Sequence, residues 1–356
     1  MVVAAVLVAA GCSSSGSARR ATQPRRSVAS VPPTTADAIA APPATTSMTS
    51  GDYLETLGAA GQPRRYRLHI PGAAADGSPL PLVLNLHGAT QNAQLQELYS
   101  QMDRSADRHG YLVAYPDGTR IASRLTPDPV AKEAQYGFDA GACCGLPATR
   151  HLDDVDELLR VIDDVSTRTR VDARRVYVTG MSNGGMMAYT MAAMAAGRIA
   201  AVASVSGQVE LSSIHPSRPV PTLEFHSVDD PIASWKGSQD ASGQYQFSVM
   251  AGVDQWIRAD GCAANAHHGP TQSTAAGAGG APNAVTATLV TWTGCRGGAE
   301  VALMRFTGSG HIWPGRAANT GPQADWPLAG VGQGTTLVDA NEVMWQFFSR
   351  FALPAS

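Results

Sequence analysis

A serine flanked by glycines is the first residue of this sequence whose surroundings suit covalent chemistry. Gly180-Met181-Ser182-Asn183-Gly184 is a G-x-S-x-G motif that follows a β-rich run and opens a helical run. In a nucleophile elbow, a sharp strand-to-helix turn exposes the serine hydroxyl, and only very small residues fit two positions before and after it. A glycine-flanked turn that merely caps a helix is the alternative. Because strand, turn and helix occur in the required order, we predict that Ser182 is a nucleophile.

A nucleophilic serine needs a general base, and the base needs an acid that orients it. In proteins with such an elbow, the acid and then the histidine follow the serine along the chain. Asp229 and Asp230 come after the strand-like run Thr222-Leu223-Glu224-Phe225, and either can be the acid. His311 lies in a glycine-rich loop after the last strand-like run and is the predicted base. The competing histidines are His226, His267 and His268.

An oxyanion hole requires two backbone N–H groups near the nucleophile. One is expected from Asn183, directly after the serine, and the other from the loop that follows an early central strand. The run from His87 to Asn92 occupies that place, so Ala89 is the predicted second donor. Gly88 lets the chain turn, and His87 is predicted to hold the loop by hydrogen bonding.

The elements that must position these residues alternate between strands and helices, which predicts an α/β fold with a mostly parallel central sheet and helices on both faces. Predicted strands are Arg65 to Ile70 at an edge, and Leu82 to Leu86, Tyr111 to Tyr115, Arg175 to Thr179, Ala201 to Val205, Thr222 to Phe225, Val285 to Trp292 and Val301 to Phe306. Predicted helices are Gln96 to His109, Asp153 to Thr169, Ser182 to Ala196, Tyr245 to Asp260 and Leu337 to Phe351. Ala263 to Pro282 is predicted to be an exposed loop.

Composition excludes several classes of protein. The 356 residues carry a formal net charge of −3 and are 44% hydrophobic and 15% charged. A near-neutral chain has no strongly basic footprint for nucleic acid, and this apolar fraction is too high for wholesale disorder. No apolar run reaches the roughly 20 residues of a membrane span. We expect a monomer that needs no metal and no organic cofactor.

The first residues are typical of a targeting signal rather than of part of the folded domain. Met1 to Ala10 is apolar, and Ala9-Ala10-Gly11-Cys12 resembles the lipobox of bacterial lipoproteins. The predicted organisation is a signal peptide over 1–11, a lipidated Cys12 with a flexible tether over 12–50, and a single folded domain over 51–356. A chance cysteine in an ordinary secretory signal is the alternative.

The chain has five cysteines, an odd number. If Cys12 belongs to the targeting segment, four cysteines remain in the predicted folded domain. Cys262 and Cys295 bracket the Gly/Ala-rich loop, and we predict that they pair, although four cysteines allow three connectivities. Cys143 and Cys144 are adjacent, so they form a vicinal bridge or stay reduced. Export would place them in an oxidising compartment, where disulfides persist.

Several segments together resemble the polyhydroxybutyrate depolymerase and feruloyl esterase family of secreted α/β-hydrolases. The family usually carries His-Gly-x-x-Asp-Pro at the acid, which assigns that role to Asp230. This chain has Ser227 in place of the glycine and Phe138 where many members have tryptophan. The segments that carry the resemblance are Leu86 to Gln91, Tyr115 to Gly118, Cys143 to Gly145, Gly180 to Tyr189 and Gly310 to Gly315.

The resemblance implies an α/β-hydrolase fold over 51–356 and a serine esterase that works through an acyl-enzyme. Polyhydroxybutyrate or other short-chain hydroxyacyl esters and feruloyl-type esters are the expected substrates, and the protein is expected outside the cell or on its surface. Phe138 and Trp313 are expected to contact substrate, with packing against the sheet as the other role open to Trp313. Acyl transfer by the same triad and a non-catalytic surface lipoprotein are the alternative functions.

Overall fold

The computed structural model describes residues 48–57, 64–120, 135–143, 145–239, 245–277, 283–315 and 331–355, which belong to one compact unit. The predicted signal peptide, Cys12 and Cys144 lie outside the described residues, as does the predicted tether before residue 48. Within the described ranges, no helix has the length and apolarity needed to cross a bilayer.

Most of the strands join into one sheet of eleven in the described part of the chain. The strands are β1 (Gly51–Leu57), β2 (Arg64–Ile70), β3 (Leu80–Leu86), β4 (Leu112–Pro116), β5 (Thr119–Arg120), β6 (Tyr136–Gly137), β7 (Val171–Met181), β8 (Ala201–Val205), β9 (Thr222–Ser227), β10 (Ser238–Gln239), β11 (Tyr245–Gln246), β12 (His267–His268), β13 (Gln272–Ser273), β14 (Thr286–Trp292) and β15 (Val301–Thr307). The small pairs β5–β6 and β10–β11 stand apart from the sheet.

The sheet runs in the order β1-β2-β4-β3-β7-β8-β9-β15-β14-β12, and β13 also pairs with β14. The six strands from β4 to β15 are parallel, whereas the strands at both edges are antiparallel. β3 and β7 lie in the middle, so their carboxyl ends meet at one edge of the sheet. This mostly parallel sheet confirms the predicted α/β-hydrolase fold.

Helices cover both faces of the sheet. They are α1 (Ala93–Ser100), α2 (Asp103–His109), α3 (Gly145–Arg150), α4 (Asp154–Arg168), α5 (Asn183–Met194), α6 (Val249–Asp260) and α7 (Ala340–Phe348). Because side chains alternate along a strand, Leu82 and Leu84 of β3 pack into a core with α4, α5 and α6, and Val83 packs into a core with α1, α2 and α7. This two-sided burial explains why the central strands are continuously apolar.

Three local expectations are wrong. The helix predicted over Gln96 to His109 is two helices, because Gln101 adopts a left-handed conformation with φ 48° and ends α1. β2 is not an edge strand, since β1 pairs along its outer side. Residues 263–282 are not only a loop, because β12 and β13 add two exposed short strands to β14.

The cysteines of the described residues are oxidised. Cys262 and Cys295 form the predicted disulfide, which links the end of α6 to the turn between β14 and β15. Cys143 is also held in a disulfide.

Candidate active site

Ser182 occupies a strained turn at the centre of the sheet. β7 ends at Met181 and α5 begins at Asn183, and the serine between them has φ 55° and ψ −120°. A residue with a Cβ rarely adopts a positive φ, and such strain is typical of functional positions. The backbone N–H of Ser182 donates to the Val205 carbonyl at 2.8 Å, which fastens the turn to β8, and its side chain is partly exposed.

The two glycines of the motif are required by close backbone contacts. A Cβ on Gly180 would lie 2.6 Å from the carbonyl oxygen of Leu86 and 2.5 Å from the carbonyl carbon of Gly184. A Cβ on Gly184 would lie 2.2 Å from the same Leu86 oxygen and 2.7 Å from that of His87. These positions therefore let α5 start directly against the end of β3, which carries the predicted oxyanion loop.

Asp230, rather than Asp229, contacts the histidine. Its Oδ2 accepts a hydrogen bond from Nδ1 of His311 at 2.8 Å, and its Oδ1 accepts from the N–H groups of Ile232 and Ala233, each at 2.8 Å. Asp229 instead accepts from the N–H of Gly308 at 2.7 Å.

The carboxyl of Asp230 is buried, and burial alone would raise its pKa. The hydrogen bond and charge of His311, the charge of His226 and the Ile232 N–H outweigh burial, so the pKa of Asp230 lies below its ordinary value. The acid is therefore ionised at neutral pH.

Backbone hydrogen bonds hold the loop of His311 in place. The N–H of His311 donates to the Val331 carbonyl at 2.6 Å, and that of Gly310 donates to Gln333 at 2.8 Å. Gly315 makes the same kind of bond to Thr335 at 2.9 Å. Because Nδ1 of His311 is bonded to Asp230, Nε2 is the nitrogen left to exchange a proton.

A side-chain hydrogen bond joins the acid turn to the histidine loop. The hydroxyl of Ser227 donates to the Ser309 carbonyl at 2.6 Å and accepts from the N–H of Asp229 at 3.2 Å.

In the described part of the chain, the Ser182 hydroxyl makes no hydrogen bond with His311. Catalytic hydrogen bonds are often long before a substrate is bound.

The predicted oxyanion loop is held by its own side chains. Nδ1 of His87 donates to the Gly88 carbonyl at 2.7 Å, and its Nε2 accepts from the N–H of Gly118 at 3.0 Å. Burial lowers the pKa of His87 to about 4, so the ring is neutral, and its predicted structural role is confirmed. The N–H of Gly88 donates to the side chain of Gln91 at 3.0 Å.

Two backbone N–H groups near Ser182 have no hydrogen-bond partner among the described residues. The N–H of Ala89 makes no hydrogen bond within the described residues, and that of Asn183 opens α5, where no helical carbonyl can accept it. A Cβ placed on Gly88 would lie 3.5 Å from the Cβ of Ser182, so this loop runs beside the serine. These two N–H groups are the candidate oxyanion donors.

Phe138 and Trp313 are fully buried. The backbone of Phe138 forms two hydrogen bonds with the side chain of Asn183, and its ring lies 4.7 Å from that of His87. The indole N–H of Trp313 donates to Asn341 at 2.9 Å. These contacts are packing contacts within the protein, and the substrate contacts expected of both rings stay predictions.

Sequence reasoning missed a buried ionisable pair behind the acid. Glu224 and His226 lie on β9, and Nδ1 of His226 is 2.7 Å from Oε1 of Glu224. Nε2 of His226 lies 3.7 Å from Oδ2 of Asp230. The signal in the sequence is two ionisable residues at alternate positions, with Glu224 inside the predicted strand Thr222 to Phe225 and His226 directly after it.

One set of potential metal ligands lies among the described residues. Carboxylate and imidazole atoms of Asp52, His69 and Asp103 are within 4.8 Å of one another. Both nitrogens of His69 already contact carboxylates, from Asp52 at 2.7 Å and Asp107 at 3.1 Å. β1, β2 and α2 carry this group, and none of them carries a residue of the candidate active site.

The sequence is similar to known ester hydrolases. Residues 64–266 match the family model described as Esterase PHB depolymerase. The putative esterase NocK of Nocardia uniformis subsp. tsuyamanensis is 31% identical over 72% of this chain and 72% of its own length. A bifunctional acetylxylan esterase/xylanase, XynS20E of Neocallimastix patriciarum, is 26% identical over 74% of this chain and 32% of its own length. Feruloyl esterase B of Piromyces equi is 24% identical over 70% of this chain and 42% of its own length.

Proposed function

Since this chain belongs to the PHB depolymerase family of esterases, we propose that it hydrolyses carboxylic esters with Ser182 as nucleophile, His311 as base and Asp230 as acid. The observation that carries the proposal is the strained conformation of Ser182, with φ 55°, between β7 and α5. A turn that only capped the helix would have no need of such strain. The Asp230–His311 hydrogen bond supports the other two roles.

The proposed reaction begins when Nε2 of His311 takes the hydroxyl proton of Ser182 as its oxygen attacks the ester carbonyl. The N–H groups of Ala89 and Asn183 stabilise the resulting oxyanion, and in other serine hydrolases removing one such donor costs roughly 3–4 kcal/mol. His311 then protonates the leaving alkoxide. Water attacks the acyl-enzyme with His311 again as base, which releases the acid and restores Ser182.

Asp230 orients His311 and stabilises its cationic form during both steps. Two N–H groups and one imidazole occupy the carboxylate oxygens of Asp230, so its orientation is fixed before a substrate arrives. Such preorganisation means that the acid needs little rearrangement during the reaction.

The proposed substrates are esters of short-chain hydroxyacyl groups, as in polyhydroxybutyrate, or feruloyl-type esters. The description of the matched family and the name of one relative support this range, since they cover PHB depolymerases and a feruloyl esterase. Rates on aryl esters, feruloyl esters and short polyester oligomers, measured side by side, select among them.

The proposal is tested with Ser182→Ala, assayed on p-nitrophenyl butyrate and with a fluorophosphonate probe. We expect turnover and labelling both to disappear, because the nucleophile is gone. Ser212→Ala, at an exposed serine of the same chain, is the matched control and should behave as wild type. Full turnover by Ser182→Ala would refute the proposal. Ester formation with an added alcohol, without hydrolysis, would instead favour acyl transfer.

We also propose that the protein is exported and anchored by a lipid on Cys12. The lipobox-like residues before Cys12 and the Cys262–Cys295 disulfide support export to an oxidising compartment. Metabolic labelling of expressing cells with an alkyne-tagged fatty acid tests the anchor. Wild type should take up the label in the membrane fraction, and Cys12→Ala should not; equal labelling of both would refute it.

A further inference from the structure

We propose that His226 is a positioning residue, which acts on catalysis as a buried positive charge that Glu224 maintains beside Asp230. This inference rests on the proposed function. It adds a second layer to the site, in which Glu224 sets the charge of His226 and His226 in turn sets the charge and position of the acid.

The pair lies inside the protein on one face of β9. Leu223 and Phe225 point into one hydrophobic core, and Glu224 and His226 point to the opposite face. Each of the two ionisable side chains is only 1% exposed. Burying such groups is costly unless they are paired and hydrogen-bonded, so their presence in a central strand calls for a compensating arrangement.

The hydrogen-bond partners of His226 indicate which of its ring nitrogens carry protons. Nε2 lies 2.8 Å from the Ala233 carbonyl, which can only accept, so Nε2 carries a proton. Nδ1 lies 2.7 Å from Oε1 of Glu224, whose Oε2 accepts a hydrogen bond from Tyr189 at 3.0 Å. Burial alone would lower the pKa of His226, but the hydrogen bond and charge of Glu224 and the charge of Asp230 raise it above its ordinary value. Burial also raises the pKa of Glu224, and the hydrogen bond and charge of His226 oppose that rise. In the ion-paired form, both nitrogens of His226 are protonated.

The positive ring faces the acid directly. Nε2 of His226 is 3.7 Å from Oδ2 of Asp230, the same oxygen that accepts from His311. Ala233 accepts from His226 through its carbonyl and donates to Oδ1 of Asp230 through its N–H, so the ring also fixes the turn that orients the acid.

Other titratable and charged groups around this cluster come from several elements. Tyr189 of α5 contacts Glu224, and Tyr99 of α1 lies near Asp230. The ring of Trp235 packs edge-on against that of His226, with 6.1 Å between their centroids. The guanidinium of Arg305, on β15, lies over the Trp235 ring, 5.9 Å from its centroid. In the described structure, the nitrogens closest to the acid are Nδ1 of His311 at 2.8 Å and Nε2 of His226 at 3.7 Å from Oδ2 of Asp230.

The sign of the effect follows from the charges. A cation beside Asp230 favours the ionised form of the acid. Removing that cation therefore raises the pKa values with which the Asp230–His311 pair takes up protons. The acidic limb of the pH profile for kcat/KM should then move to higher pH. A residue that only filled space would change the rate without moving the limb.

The test compares wild type with His226→Gln and Glu224→Gln, using p-nitrophenyl butyrate between pH 5 and 9. We expect the acidic limb to move up by about one pH unit in His226→Gln, the lower end of shifts caused by a charge at this distance. Glu224→Gln leaves the imidazole and its bond to Ala233 in place but removes the carboxylate, so a smaller shift in the same direction is expected. Asp260→Asn, at a buried carboxylate on α6, is the matched control and should not move the limb.

Nitrogen NMR of the histidines gives a readout that needs no activity. The signals of His226, assigned by their loss in His226→Gln, should show both nitrogens protonated at pH 7 in wild type and one deprotonated in Glu224→Gln. A neutral His226 in wild type, or an unmoved acidic limb in both variants, would overturn the inference. A limb that moves in His226→Gln alone would do the same, because Glu224 would then not control the charge. An inactive wild type would count against the proposed function instead, and the NMR result would still decide the charge of His226.

Discussion

Gly184→Ala is the substitution for which the structure predicts the sharpest loss of activity. The added methyl would lie 2.2 Å from the Leu86 carbonyl oxygen, whereas Cβ atoms essentially never approach other atoms within 3.0 Å, so the two backbones must separate by about 0.8 Å. The neighbouring atoms belong to the backbone of β3 and of His87, which cannot rotate away as a side chain can.

The displacement separates the two candidate oxyanion donors. Asn183 moves with the start of α5, while Ala89 belongs to the loop after β3. A misplacement of about 1 Å at a catalytic site can lower the rate by about 100-fold, and we expect kcat/KM to fall by that order. Overpacking of this kind destabilises a protein by about 1–3 kcal/mol, so the variant should still fold.

The measurement combines kcat/KM on p-nitrophenyl butyrate with urea unfolding followed by circular dichroism. Gly197→Ala is the matched control, because a Cβ there would meet nothing within 4 Å. It should change the free energy of unfolding by less than about 1 kcal/mol and leave kcat/KM unchanged. Wild-type activity in folded Gly184→Ala would refute the reasoning that this glycine keeps the elbow against the oxyanion loop.

Three further predictions concern the acid, a buried carboxyl and the disulfide. Asp230→Asn should lower kcat by about 10⁴-fold, as loss of the orienting acid does in other triads, while Asp229→Asn should lower it by less than about tenfold; stopped assays at pH 8 compare them. Glu210 is buried with both carboxylate oxygens unpartnered in the described structure, and burial raises its pKa to about 8. The folded state holds this proton more tightly than the unfolded state, so the stability of wild type should fall as pH rises from about 4.5 towards 8. Calorimetry should find Glu210→Gln more stable than wild type at pH 9 but not at pH 5. Replacing both Cys262 and Cys295 by serine opens a bridge with a sequence separation of 33, which should lower the free energy of unfolding by about 4 kcal/mol in urea; an unchanged value would contradict the chain-entropy estimate.

The central strands of this fold were predictable because their apolar and β-rich sequence runs agree with their buried positions in the sheet. The apolar run of β3 and the β-rich run before Ser182 predicted central strands, and these are the strands that bring the oxyanion loop and the elbow together. The chain order of serine, acid and histidine likewise predicted which loops meet, because parallel strands end at the same edge of the sheet.

Choices between neighbours were not predictable from the chemistry and periodicity of the residues, and only the family resemblance favoured Asp230 over Asp229. Asp229 and Asp230 are adjacent and chemically equal, and the N–H of Gly308, far along the chain, occupies Asp229. Gln101 ends α1 without the glycine or proline that usually signals such a break. β1 escaped prediction because an edge strand with one buried residue, Leu57, has little apolar pattern to detect.

The hydrogen bonds from Gly310, His311 and Gly315 to residues 331–335 have a consequence for how this sequence can change. The chain leaves the histidine loop at Gly315 and returns at Val331, and main-chain atoms fasten both points. Main-chain hydrogen bonds do not depend on which side chains are present. Substitutions at Val331, Gln333 and Thr335 should therefore keep the bonds that position His311, so lineages can diverge at these side chains without moving the base.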